Sequence, residues 1–142
     1  MYICIMNESL SKYYHLTGAD RSYVFRHDRM TPDEEYPVHT HSEWELAYVV
    51  RGGGQLLLGG ESHAFSRGDV VFIPPGMLHG WTFDDSDRDD GNRVEDICLF
   101  FRRELPGGLA ALLPEIGRSE LLRTMPRTAF RLRGRLRRFS RS

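Results

Sequence analysis

Cysteine is scarce. Cys4 and Cys98 are the only two in 142 residues, and they form no Cys-x-x-Cys pair. A disulfide framework of the secreted kind is thereby excluded, and a reducing cytoplasm fits better. Cys98 lies inside an apolar run and is expected to be a buried small hydrophobe. Long apolar runs are also missing: nothing approaches the roughly 20 residues a membrane helix needs. The apolar opening at residues 1–6 has no basic leader, and Asn7 and Glu8 interrupt it before a signal core forms. Net charge is nearly absent, at −1, so the overall balance selects no partner. No internal repeat is visible, and the length suits one compact domain with a core rather than two.

What charge there is falls unevenly. Residues 84–96 are mostly acidic, and residues 118–141 are rich in arginine. Between them and before them, short apolar segments alternate with turn signals. Residues 21–30, 43–50, 55–58, 61–65, 70–73, 79–83 and 96–103 read as strands. Gly59-Gly60 supplies the positive φ of a two-residue hairpin, and Pro74-Pro75-Gly76 stops the short strand before it. The acidic loop at 84–93 is expected to be mobile. The run at 96–103 is apolar at both parities, which predicts burial on both faces. Close strands without intervening helices argue for an antiparallel sandwich or barrel.

The pattern changes after Leu105. Leu109, Leu112, Leu113 and Ile116 recur at helical spacing, as do Leu121, Leu122 and Met125, with Pro114 and Gly117 between. Two short helices covering one face of the barrel are expected, followed by a partly alternating stretch at 127–134. The basic end at 131–142 favours phosphate contact by composition but reads as a solvated tail, and no specific DNA binding is expected from it.

The chemistry concentrates at His39-Thr40-His41-Ser42-Glu43-Trp44-Glu45. In a strand, alternate side chains share a face, so His39, His41 and Glu45 fall together. His79 opens a later strand just after Pro74-Pro75-Gly76. If the two strands are neighbours, three imidazoles and one carboxylate converge. That donor set suits a divalent first-row metal such as iron, manganese, nickel or zinc. Trp81 and Phe83 share parity with His79, and Glu43 with Glu45, so these three are expected to line the same cavity. Trp44, Leu46 and Tyr48 take the opposite face and are expected to pack against helices or a partner subunit. His15, His27 and His63 have no matching partners and read as structural or solvated.

These residues match the cupin superfamily. Its first motif, HxH, three residues, Glu, six residues, Gly, corresponds to His39, His41, Glu45 and Gly52. Its second, Gly, five residues, PxG, two residues, His, corresponds to Gly68, Pro74, Gly76 and His79. Two departures are visible: Phe83 stands where an Asn often ends the second motif, and the opening Gly of the first is absent. The resemblance spans about residues 20–103 and implies an all-β, double-stranded β-helix (jelly-roll) barrel with short C-terminal helices. On that reading, residues 1–20 are an N-terminal arm, 21–103 the barrel, and 104–142 a helical, arginine-rich extension that begins a linker.

More finely, the run from His39 to Gly52, the stretch from Gly68 to His79, Leu99-Phe100-Phe101 and the leucine-rich segment beyond resemble the N-terminal effector-sensing domain of AraC-type transcription regulators. The resemblance implies a cytoplasmic module that binds a small-molecule effector, with a sugar the candidate by family analogy, and that forms a homodimer. The helix-turn-helix DNA-reading part of such regulators has no counterpart in these residues. The competing expectation is a small metal-dependent cupin enzyme, an isomerase or dioxygenase, with His39, His41, Glu45 and His79 as ligands. No catalytic residue is assigned.

Overall fold

In a computed structural model, residues 22–118, 129–133 and 135–138 are described. Among these described residues nine strands run in chain order. They are β1 (Tyr23–Met30), β2 (Trp44–Arg51), β3 (Gly54–Leu58), β4 (Glu61–Phe65), β5 (Val70–Ile73), β6 (His79–Phe83), β7 (Val94–Phe101), β8 (Phe130–Arg133) and β9 (Arg135–Arg138). A single 3₁₀ turn, Pro32–Glu34, follows β1, and two short helices, α1 (Leu105–Leu112) and α2 (Pro114–Gly117), follow β7. The strands form two sheets, β1-β7-β2-β5-β8-β9 and β4-β3-β6, with every pairing antiparallel. This is the all-β cupin barrel that the motifs imply. No helix of the described residues is long and apolar enough to cross a membrane.

Val49, Leu56, Phe65, Val71, Ile73 and Val94 fill one part of the space between the sheets and form the apolar core. The entry to β2 is tied to β6 by reciprocal backbone bonds. His39 N–H donates to the His79 carbonyl at 2.9 Å, and His79 N–H to the His39 carbonyl at 3.0 Å. Motif glycines answer to specific demands. Gly52 has φ +139°, and a Cβ there would meet the Phe83 ring at 2.6 Å. Gly76 has φ +76° and donates its N–H to the His41 carbonyl, which fastens the turn that delivers His79 beside the first motif.

Several expectations need correction. β7 alternates. Val94, Asp96, Cys98 and Phe100 are buried, while Glu95, Ile97, Leu99 and Phe101 on the other face are only half-buried. The acidic loop at 84–93 is fastened rather than loose. The Arg88 side chain is buried in it and donates to Glu35 Oε1 at 2.7 Å, with further bonds to the Asp84, Asn92 and Phe83 carbonyls. Asp87 accepts a two-pronged bond from Arg67 and one from the Gly52 N–H. The arginine-rich stretch is not all solvated tail: β8 pairs with β5, and β9 with β8. Arg131 faces Asp69 at 3.7 Å and donates to the Ala64 carbonyl.

Leu109, Leu112 and Leu113, among the described residues, are not packed onto the barrel. Leu109 and Leu113 are exposed, and Leu112 is 78% exposed. The second helix begins at Pro114 itself, because proline is well tolerated in a first helical turn. The helix expected around 121–125, the arm at 1–20 and His15 lie outside the described residues. Trp44 is buried within its own chain, against Phe72 and Phe101, with its indole N–H donating to the Arg103 carbonyl at 3.2 Å.

Candidate metal centre and ligand cavity

His39, His41, Glu45 and His79 come together in the barrel interior. All four are buried, and one potential ligand atom from each lies within 4.8 Å of every other. Two ligands on opposite sides of one ion, each at about 2.1 Å, would stand about 4.2 Å apart, so the group closes on a single ion with small movements. The backbone fixes the rings. His39 Nδ1 lies 2.7 Å from the Pro37 carbonyl, His41 Nδ1 3.0 Å from that of Glu43, and His79 Nδ1 2.8 Å from that of Met77. A carbonyl only accepts, so each Nδ1 carries the proton. In a neutral ring Nε2 then presents a lone pair.

That assignment tests the fit to a cation. Nε2 of His41 and Nε2 of His79 each stand 2.9 Å from Glu45 Oε2. Lone pairs facing a carboxylate oxygen at this distance repel unless a positive centre lies among them: a second ring proton or a metal ion. The donor set of three imidazoles and one carboxylate, with its outer nitrogens already tied down, suits a divalent first-row metal. In the metal-free chain the charges settle as an ion pair. Burial pushes the Glu45 carboxyl up, but His79 and His41 outweigh it and hold it well below the usual range. Burial also opposes the His79 cation, yet the Glu45 charge and hydrogen bond raise its pKa above the ordinary value. His39 falls to about 4, through burial first and then the neighbouring His79, so it is a neutral ring.

A cavity opens from this cluster. Trp81, Phe83 and Glu43 line it, together with Arg26, Met30, Tyr36, Asp96 and Phe100, which sequence reasoning did not single out. Trp81 and Phe83 present near-parallel rings, 22° apart with centroids 6.4 Å apart. Arg26 pairs with Asp28 and lies over the Tyr36 ring, 4.3 Å from its centroid. The Cys98 thiol sits between two carboxyl groups, 3.6 Å from Glu45 Oε1 and 3.9 Å from Asp96 Oδ2. Burial raises its pKa well above the ordinary thiol value, with Glu45 and Asp96 acting the same way, so it stays a thiol. Of the remaining histidines, His27 pairs with Glu95 at 2.8 Å outside the barrel, and His63 lies near Glu61 at 3.7 Å.

The family model for the AraC-like ligand binding domain matches residues 21–100. The chain belongs to that family. The match covers β1 through most of β7 and therefore the whole ligand cluster. Among curated relatives, a 1-hydroxy-2-naphthoate 1,2-dioxygenase from a Nocardioides species is 28% identical over 78 residues, 55% of this chain and 18% of that protein. An uncharacterized protein of Aquifex aeolicus is 43% identical over 42 residues, 29% of this chain and 35% of that one. The chain thus spans less than half the length of either. Solved cupin structures are also similar. A conserved-barrel protein from Rhodopseudomonas palustris has TM-score 0.45 and 23% identity, over 59% of this chain and 55% of that one. A cupin from Bacteroides fragilis has TM-score 0.48 and 18% identity, over 62% and 72%.

Proposed function

We propose that this AraC-like domain is an effector-sensing module that holds a divalent first-row metal in His39, His41, Glu45 and His79 and binds a small molecule in the adjoining cavity. The observation that carries it is the set of three Nδ1-anchored rings whose Nε2 atoms converge with Glu45. Iron, manganese, nickel and zinc are the candidate ions. A bound ion there supplies Lewis-acid chemistry and open positions for a ligand oxygen. Glu43, Trp81 and Phe83 form the wall against which a ligand is placed. The specific reading of DNA is not assigned to these residues. Metal binding is tested by titrating zinc into stripped full-length chain and following thermal unfolding. Native-state binding raises stability by about 2.7 kcal/mol at a hundredfold excess over Kd. A melting temperature that zinc does not move counts against the centre.

A second reading is a metal-dependent enzyme, an isomerase or dioxygenase. Its support is the complete ligand set together with the similarity to a naphthoate dioxygenase. Oxygen consumption by iron-loaded protein on addition of 1-hydroxy-2-naphthoate decides for the enzyme; effector binding without turnover decides for the sensor.

The sensor reading includes a homodimer, and the outer face of the larger sheet supports it. Tyr23 and Phe25 are 60% and 61% exposed on β1, opposite Phe101 and Leu99 of β7, which in turn face Trp44 and Leu46 of β2. This apolar face continues to Tyr48, which is also exposed. Light scattering is expected to show a dimer burying at least about 1,000 Å². Phe25→Arg is expected to give a folded monomer whose melting temperature no longer depends on protein concentration, and a wild-type monomer at high concentration contradicts the dimer.

A further inference from the structure

One buried carboxyl in the cavity is not used by the metal centre. Asp96 is only 8% exposed and lines the same cavity as His39, His41 and Glu45. Its Oδ2 faces the Cys98 thiol at 3.9 Å, a weak donor at long range. No group among the described residues donates to its Oδ1. The register explains this: Asp96 is opposed by Asp28 on β1 and Val49 on β2, and neither side chain offers a donor. Arg26, the cation that lines the cavity, is paired with Asp28 and spread over Tyr36. A buried polar atom without a partner calls for an explanation, and a ligand donor is one that the surroundings support.

Those surroundings select the ligand. Trp81, Phe83, Phe100 and Met30 give the cavity apolar, largely aromatic walls. Beyond the histidines, its charged lining is mainly acidic, with Glu43, Glu45 and Asp96 against Arg26. Around Asp96 that lining favours a donor over an anion.

We infer that Asp96 is the residue that selects the effector: the cavity takes a small, flat, apolar molecule bearing a hydroxyl or amino group, which donates to Asp96 while its body lies against Trp81, Phe83 and Phe100. This rests on the ligand-sensing use of the cavity proposed above, but not on the metal. Burial lifts the Asp96 pKa to about 7 against the pull of Arg26, with Asp28 and Glu45 adding to the rise and His27 opposing it. Near neutral pH the carboxyl therefore receives a neutral hydroxyl or, once ionised, an ammonium group.

The test uses the full chain and four probes of similar size, phenol, benzylamine, anisole and benzoate, titrated by NMR on the indole resonances. Phenol and benzylamine are expected to bind about tenfold more tightly than anisole or benzoate, because anisole lacks the donor and benzoate carries the wrong charge. Asp96→Asn keeps an acceptor and loses the charge, so benzylamine weakens about tenfold while phenol is retained. Asp96→Val brings both donors down to the level of anisole and leaves anisole unchanged. Equal binding of phenol and anisole by the wild type, no binding of phenol, or undiminished binding of both donors by Asp96→Val overturns the inference. If Asp96→Val does not fold, an unchanged benzylamine affinity in Asp96→Asn overturns it instead. Metal analysis of the same samples separates the two proposals. Metal-free wild type that prefers phenol removes the metal centre and leaves Asp96 standing, whereas metal-loaded protein without that preference does the reverse.

Discussion

Replacing Arg26 by Met is expected to destabilise the chain by about 1–3 kcal/mol at pH 8, less than the cost of breaking a fully buried ion pair because this pair is partly exposed. The Arg26 side chain is 10% exposed and pairs with Asp28, and its guanidinium lies over Tyr36 and, at 5.6 Å, over Phe100. Burial works against its charge, but neighbouring acidic groups, Asp28 and Asp96 among them, more than offset this and hold its pKa above the ordinary value. Methionine keeps much of the stem and removes the charge, which leaves Asp28 and Asp96 facing each other across the β1–β7 ladder. The loss should shrink at pH 5.5, because Asp96 then takes up a proton. Urea unfolding at the two pH values reads the effect. A cost that is equal at both would show that Arg26 acts through packing alone.

Asp96→Asn is expected to act in the opposite direction and to stabilise the metal-free chain. Burial first, with Asp28 and Glu45 assisting against Arg26, raises the Asp96 pKa to about 7 in the folded protein. An acid whose folded pKa is raised makes no penalty below its unfolded value. The penalty grows between that value and the folded one, and it is complete above about pH 7. A rise of about 3 units from the reference near 3.9 corresponds to at most about 4 kcal/mol. Water reaching the cavity and the new amide reduce the gain to about 1–3 kcal/mol at pH 8, vanishing near pH 4. Because Arg26 and Asp96 interact, the cost of Arg26→Met should fall in the Asp96→Asn background, and a double-mutant cycle measures that coupling. Additive effects would contradict the shared electrostatics.

The contrast between these two residues and the metal ligands shows what the sequence makes legible. The ligand cluster follows from the alternation of residues 39–45, of which His39 and His41 precede β2 itself, and from the turn at Pro74-Pro75-Gly76 and the His39–His79 bridge that bring His79 beside them; each motif is a local feature with a fixed spacing. The inward row of β1 is different. Hydrophobicity does not decide its phase, with Tyr23 and Phe25 on one parity and Val24 and Met30 on the other; Tyr23 and Phe25 are exposed and Arg26 lines the cavity. The phase of β1 is set by its register with β7, a long-range pairing that no local pattern encodes. Asp96 was hidden for a related reason. Its strand is apolar at both parities, Cys98 and Phe100 on one and Ile97, Leu99 and Phe101 on the other, so neither phase is favoured. The loop at 84–93 likewise depends on distant partners, Glu35 and Arg67, for its order. The leucines of α1 mislead in the other direction: helical spacing predicts an apolar stripe but not what covers it.

The central claim is that His39, His41, Glu45 and His79 hold one metal ion. Its most direct measurement is elemental analysis of full-length chain purified without a histidine tag and then incubated with iron, manganese, nickel or zinc before desalting. The expected result is about one equivalent of a single first-row metal per chain in the wild type. His41→Ala should lose most of it while remaining folded, because the apolar core between the sheets does not involve His41. Stoichiometric metal that survives His41→Ala, or a wild-type chain that takes up none of the four, would contradict the assignment.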